Sequence, residues 1–595
     1  MFFTLRITAE KRKILVISYC GAEWPLKEEL PLRVGLDVGS TTIKCVVLDD
    51  RNNLIYHTYE RHYSHIVEKS AELLRRVAER CGREAVFAIS GSAGMGMAED
   101  ADLPFVQEVY ATRLAGNQEA KFLTLFDCLD SLDEYDEKRI LQRCPIKKEQ
   151  LPNMKAHLYK QILVSIRLLD VQRTVPMQLR EQIDFARILF DKGLYRQSSK
   201  LLDKAAELAL TNEQYTMAID IVEMQKKIET LNISRGILSK SESLSRLAGT
   251  MCDKIVRIND LSNISMQLYG LYLKLGYTRT QKDIDLIIQV YGQKLAKYEA
   301  CDEGELSFTE RFFLYQANAW YNYILHNLLL CYKYVCRWIS LFDEHPHMKQ
   351  LMYDAYLRGY SRLLDSLFLL RSHKRFVSTL RAFEKEIGEI GNISDNARMI
   401  ALQILYTNRI NNYFREGLFS DGIKIIPEVE EFIRNYSNQL DLVLYYKIAC
   451  LYFGNGNYGP CMEYLKRIIS TRDPQIRRDL QCYARILNLI CSYESGIDYN
   501  IDFQIRSVYV FLVKMNDMQQ VQLEMMRFLK RLNTIYAGDL KEEFRKLYEI
   551  LKPYEQHPYE RRTFYYLDVL SWLQSKVEGI PVAEVIRRRF LAENK

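Results

Sequence analysis

The sequence predicts a mainly α-helical protein, a helical-repeat solenoid preceded by a small, truncated α/β segment. Three features carry this expectation. Runs with a two-residue period fill residues 32–90 and strand signals stop near residue 113. From Glu119 onward apolar residues recur every three or four positions, the spacing that lines one face of a helix. Within that helical region a single two-helix pattern returns several times.

Length and composition set the frame. A chain of 595 residues is too long for one core, and at ~100–200 residues per domain it implies several units or an extended array. The apolar fraction of 48% and charged fraction of 27% are ordinary for a water-soluble protein. A net charge of +6 over this length gives no electrostatic reason to expect nucleic acid. The 13 cysteines are scattered, without a CxxC pair or a Cys/His spacing suited to zinc, and several fall on apolar stripes. Free thiols of that kind suit a reducing, cytoplasmic setting. The most apolar run, from Trp320 to Trp338, is interrupted by Asn322, His326, Asn327, Lys333 and Arg337, so no membrane span is expected.

Taken in order, residues 1–31 form a lead-in. Its short apolar run at 14–20 follows Lys11-Arg12-Lys13, but bulky Tyr19 before Cys20 does not suit a signal peptide. Residues 32–113 read as α/β: strands at 33–37, 42–49 and 54–60, a helix at 66–81, a strand at 85–90, then the glycine-rich SGSAGMG. Residues 114–180 form a helical capping region, with helices at 122–132, 137–144 and 152–169. Residues 181–595 hold the repeats.

The clearest repeat unit is VLYYKIACLYFGNGNYGPCMEYLKRIISTRDP, from Val443 to Pro474. Tyr445, Ile448, Ala449 and Tyr452 share one face of a first helix. Gly454, Asn455, Gly456 and Asn457 are expected to stop it, since glycine and asparagine accept the left-handed conformation of a helix end. Tyr458, Cys461, Leu465 and Ile468 make the stripe of a second helix. Phe185, Ala186, Leu189, Gly193, Tyr195, Ser198, Leu202 and Ala205 repeat the pattern, and so do Tyr406, Ile410, Tyr413, Gly417, Phe419, Gly422, Ile426 and Val429. Gly417 and Gly456 lie 39 residues apart. A weaker copy centres on Lys374-Arg375-Phe376, with another turn at Gly276. Large and small residues alternating around a tight turn resemble the tetratricopeptide repeat, and Phe122 to Leu169 with the degenerate repeats, including SFTERFFLYQANAWYNYILHNLLLCYKYVCRWISLF from Ser307 to Phe342, resemble tetratricopeptide-type proteins of Bacteroides-like bacteria. That resemblance implies stacked helix pairs and a protein or peptide partner in a concave groove.

One stretch carries a chemical mechanism. In RVGLDVGSTTIK, from Arg33 to Lys44, a strand ends at Asp37, turns through Gly39, Ser40 and Thr41, and returns through Thr42 and Lys44. The turn's backbone N–H groups can cradle phosphate oxygens. Asp37 would hold Mg²⁺ through water, and Lys44 would supply charge nearby. GLDVGSTTIK, SGSAGMG and LPFVQEVYAT together resemble the opening of the activator ATPases of 2-hydroxyacyl-CoA dehydratases, the BadF/BadG/BcrA/BcrD group within the actin-like superfamily. The resemblance implies an ATP site at Asp37, Gly39, Ser40, Thr41, Thr42 and Lys44. It covers 32–113 only. No second phosphate motif follows, no Gly-Gly pair marks an adenosine loop, and no cysteine sits in a cluster-binding CxxxAGTG setting. A non-catalytic fragment without an iron–sulfur cluster is therefore expected.

Other constellations point to structure. His345 and His347 flank a proline without a third ligand, Glu428, Glu430 and Glu431 form a charged helix face, and Arg587-Arg588-Arg589 reads as a solvated face. The sequence reading is thus a cytoplasmic helical-repeat scaffold for a protein partner. Its alternatives are an ATP-dependent dehydratase activator and a regulatory repeat protein acting with a DNA-binding partner.

Overall fold

The structure, a computed structural model, describes most of 32–90 and most of 121–593. Residues 1–31, 39–41, 49–53, 62–68, 78–84, 91–120 and 594–595, with scattered single positions and short turns between helices, fall outside the described residues. The chain divides into two compact units, Met1–Glu181 and Gln182–Lys595.

In the first unit, β1 (Leu32–Val38), β2 (Thr42–Leu48), β3 (Leu54–Arg61) and β4 (Ala85–Ser90) form one sheet in the order β3-β2-β1-β4. β1, β2 and β3 are an antiparallel meander, and β4 returns parallel to β1. A parallel return needs a crossover, and the helical residues within 69–77 lie in that connection. Alternation sorts the two faces of the sheet. Val34, Leu36, Ile43, Cys45 and Val47 are buried on one side, and Asp37 and Lys44 lie on the other. Ser70, Leu73 and Val77 give the crossover helix its buried stripe at spacings of three and four.

The same unit contains α1 (Lys121–Asp130), α2 (Glu137–Arg143) and α3 (Leu151–Asp170), close to the helices expected at 122–132, 137–144 and 152–169. They share a small core of Leu125, Cys128, Ile140, Cys144, Ile146, Leu151 and Leu158. Burial pushes the Cys144 thiol up to about 11, so it packs as a small hydrophobe. Asp136 caps α2 by accepting from the Lys138 and Arg139 N–H groups. Helix α4 (Val175–Asp191) runs through the boundary between the units.

The second unit is helical among its described residues. It opens with α5 (Tyr195–Thr211), α6 (Tyr215–Leu231), the 39-residue α7 (Ile237–Leu275), and α8 (Gln281–Ile287) joined by a π-turn to α9 (Gln293–Glu299). Then come α10 (Phe308–Ile324), α11 (Leu328–Glu344), α12 (Pro346–Leu351), α13 (Tyr353–Leu369), α14 (His373–Glu389), α15 (Asp395–Glu416), α16 (Phe419–Lys424), α17 (Ile426–Tyr436), α18 (Leu442–Gly454) and α19 (Tyr458–Ile469). The chain ends with α20 (Arg478–Glu494), α21 (Ile501–Lys514), α22 (Gln520–Leu532), α23 (Leu540–Leu551), α24 (Thr563–Tyr566), α25 (Val569–Glu578) and α26 (Val582–Glu593). Neighbours in sequence pack on one another. The core follows as clusters in chain order, one spanning 261–356, one 357–405 and one 406–586. Among the described residues, no helix is long and apolar enough to cross a membrane. The apolar run from Trp320 to Trp338 is bent by a turn between α10 and α11, where His326 takes φ 63°.

Several local expectations change. The turn at 454–457 does end the helix: Gly454 is the last residue of α18, and the left-handed position falls on Gly456, φ 78°. Gly454 is required by packing instead, because a Cβ there would stand 2.3 Å from the Phe419 ring. The helix expected from Phe419 onward breaks into α16 and α17, because Pro427 has no N–H to continue it. Phe185 is 50% exposed, and α4 buries Leu179 and Ile183 beside the expected Ala186. The Arg587-Arg588-Arg589 run is not a solvated face. Arg587 donates to the Glu416 carbonyl at the end of α15, and Arg589 to Ser571 and Gln574 of α25. Helix α26 thus returns to α15, where Gly417 (φ 72°) lets the Ala583 carbonyl approach within 2.9 Å of its would-be Cβ. Gly276 and residues 91–96 and 103–112 lie outside the described residues.

Tyrosine hydroxyls pair with carboxylates on other helices: Tyr298 with Asp260 (3.0 Å), Tyr334 with Glu299 (2.8 Å), Tyr356 with Glu386 (3.1 Å), Tyr406 with Glu428 (2.9 Å) and Tyr464 with Glu430 (2.5 Å). The acidic face of Glu428 and Glu430 is therefore occupied in holding tyrosines. Glu213, from the turn between α5 and α6, accepts from the Phe308 and Thr309 N–H groups (2.9 and 2.8 Å) and caps α10. Ser307 and Glu310 complete that terminus as a capping box, and fully buried Glu310 also pairs with Arg257.

Two outcomes follow from this packing. Ala449 is fully buried in α18, so Ala449→Trp should overpack the helix crossing and cost ~1–3 kcal/mol or more, as should Gly454→Ala against Phe419. Exposed Lys466→Ala should stay within ~0.5 kcal/mol. Equal urea midpoints for the three variants would refute the assigned faces. The second outcome concerns pH. Burial, reinforced by a neighbouring carboxylate, pushes Tyr298, Tyr315 and Tyr406 from 10.0 up to about 12. Unfolded tyrosines release their protons first. Native stability is therefore full below about pH 10 and falls as pH rises to about 12, which alkaline melts should show. The fall should be shallower in Tyr406→Phe.

Candidate functional site

Only some of the phosphate motif can be placed. Gly39, Ser40 and Thr41 lie outside the described residues, and Thr42 opens β2 opposite Arg61. The β1–β2 hairpin sets Asp37 directly across from Lys44. Lys44 Nζ donates to Asp37 Oδ2 at 2.9 Å, with the two side chains 51% and 38% exposed. That hydrogen bond and the carboxylate's charge raise the Lys44 pKa. A pair this exposed contributes ~0–1 kcal/mol. Its chemical consequence is larger, because the groups expected to serve magnesium and phosphate neutralise each other here.

The second unit contains a larger site that no sequence motif marks. Helices α7, α10, α13, α15 and α18 each turn one face toward a common cavity of about 830 Å³, to which α11 adds Trp338 and α20 adds Leu480. On α13 the inward set is Arg358, Ser361, Arg362 and Asp365, at i, i+3, i+4 and i+7, while Tyr356, Leu357, Leu364 and Leu367 of the same helix are buried in the core. On α7 it is Ser262, Ser265, Met266, Tyr269, Tyr272 and Leu273, and on α15 a longer row that includes Asn396, Gln403, Thr407 and Asn411. A helix with polar residues on a second face, away from its apolar stripe, is the sequence signal for such a wall. It is weak, because an ordinary solvated face reads the same way.

Arg477 brings the two ends of the wall together. It precedes α20 in a left-handed conformation, φ 49°, and holds Asp479 through two hydrogen bonds of 3.0 and 2.9 Å. Its guanidinium lies over the Tyr272 ring of α7, 5.9 Å from the centroid. Tyr272 and Tyr269 each stand 5.0 Å from Trp320 of α10, forming an aromatic wall.

The charge of the cavity is one-sided. Arg358, Arg362, Lys447 and Arg477 line it against a single acidic side chain, Asp365. Arg362 lies over Trp320 at 4.8 Å and pairs through Nη2 with Asp365 at 2.6 Å. Its Nη1 is buried without an acceptor among the described residues, as is Nε1 of Trp338, whose side chain also borders the cavity. A buried donor left unpaired costs ~1–3 kcal/mol, so both groups call for a ligand atom. Burial pushes the Cys450 thiol up to about 12, so that cysteine lines the cavity as an uncharged group. No group of three or more His, Cys, Asp or Glu able to hold a metal occurs among the described residues.

The cavity is equipped for binding: aromatic faces, side-chain amides and unpaired donors on rigid helices. No protein-family model matches the chain, and no curated protein matches it.

Proposed function

We propose that residues 182–595 form a helical-repeat binding module of tetratricopeptide type, which takes an extended segment of a partner protein into the cavity. The observation that carries this reading is the inward face shared by α7, α10, α13, α15 and α18. Asn263, Gln316, Asn396 and Gln403 supply side-chain amides along that wall. Amides offer both a donor and an acceptor, which matches the alternating groups of a peptide backbone. A volume of about 830 Å³ is within the ~300–1,000 Å³ of sites that engulf a ligand.

Photo-crosslinking in the full chain tests the reading. A benzophenone side chain at Gln403, inside the cavity, should link to one contiguous segment of a single partner. The same group at exposed Lys466 on α19 should not. Equal or greater linkage from position 466 would overturn it.

The first unit fits a truncated actin-like ATPase segment that does not turn over nucleotide. A strand ending in Asp37, a hairpin return and a parallel β4 reached by a crossover support that reading, and the Asp37–Lys44 pair supports loss of phosphate handling. Calorimetry of the full chain should show no saturable Mg·ATP binding tighter than ~1 mM. Micromolar binding abolished by Asp37→Ala would favour the dehydratase-activator alternative instead.

A further inference from the structure

We infer that the segment held in the cavity is acidic, and that one of its side-chain carboxylates accepts from both Arg362 Nη1 and Trp338 Nε1. This inference rests on the peptide-binding reading above. Two independent features point to it.

The first is what the cavity lacks. Arg362 Nη1 and Trp338 Nε1 are the buried, unpartnered side-chain atoms among its described lining residues, and both are donors. Trp338 is 1% exposed, so its indole N–H has no recourse to solvent. Both residues border the same cavity. Trp338 Nε1 lies 3.4 Å from where a Cβ of Gly359 would stand, and Gly359 is one helical turn before Arg362 on α13. Asp365 does not meet the need, since its carboxylate is engaged with Nη2 at 2.6 Å. An incoming carboxylate has two oxygens, one for each donor, and a bond to an ionised acceptor is the stronger kind.

The second feature is charge. Arg358 and Lys447 flank the same space and would be met by further acidic residues, whereas Arg477 is already matched by Asp479. A basic segment would instead place like charges together in a partly desolvated site. Met266, Tyr269 and Leu273 of α7 remain 64%, 40% and 40% exposed along the wall, apolar surface that suits a hydrophobic residue beside the acidic one.

The test uses the full chain and three N-acetylated, C-amidated hexapeptides with a common Phe-Leu centre. They carry flanking glutamates, glutamines or lysines. Binding is read by calorimetry and by the fluorescence of Trp320 and Trp338, with citrate as a small carboxylate control. The glutamate peptide should bind about tenfold or more tighter than the glutamine peptide, and the lysine peptide should bind more weakly than either. Arg362→Gln should remove most of that preference. Trp338→Phe, which removes the N–H together with part of the buried ring, should reduce it in part. The second variant guards against misfolding of the first, and thermal melts check both. Equal affinity for the glutamate and glutamine peptides would overturn the inference and leave peptide binding standing. Binding of citrate with no peptide bound would overturn both.

Discussion

A pair of antiparallel helices cannot cover both sides of its own apolar stripes, and the second unit is built around that constraint. Each pair is completed by the next, so the core runs as a chain of clusters in sequence order. Close approach is what makes the covering possible. Ala449 and Cys461 are fully buried between α18 and α19, and Gly454 leaves the space that Phe419 fills. A larger side chain at any of these points would separate two pairs, and the loss would pass to their neighbours.

Polar pairs then set the angle at which the pairs meet. Tyrosines are abundant here, 40 in the chain, and several bury the ring while the hydroxyl reaches a carboxylate on the adjoining helix. Glu213 works at longer range, capping α10 across about ninety-five residues of sequence. The return of α26 to α15 anchors the last helix, with Glu593 bridging Arg371 and Arg415, both at 2.6 Å. These contacts hold the inner faces of the first helices in one frame, which is what gives the cavity fixed walls.

The cavity is therefore a consequence of the same packing. Apolar stripes are spent on neighbouring helices, and the remaining face of each first helix is left to carry amides, arginines and aromatic rings. The conflict at Arg362, a cation held over Trp320 with one nitrogen unpaired, marks the place where packing alone does not satisfy the chain.

Much of the fold was legible in the residues. The hairpin of 33–48, the strand at 85–90 and the helices α1 to α3 follow from period and turn chemistry, which are local properties. So do the turn between α18 and α19 and the buried Cys461, Leu465 and Ile468 of α19, whereas α18 buries Leu444, Tyr446 and Leu451 beside Ile448 and Ala449 and leaves Tyr445 and Tyr452 half-buried. Three things were decided only by tertiary structure. Phe185 faces outward although its apolar spacing suggests a core, because the buried face of α4 is the one through Ile183 and Ala186. Asp37 and Lys44 look like separate ligand-binding groups in the sequence, and strand register makes them partners. The cavity wall combines residues from Ser262 to Tyr565, single polar positions that look like ordinary solvated faces one helix at a time. Local patterns fix where helices begin and which stripe they bury. Which of the remaining faces meet, and what charge they enclose, depends on long-range packing that no local period records.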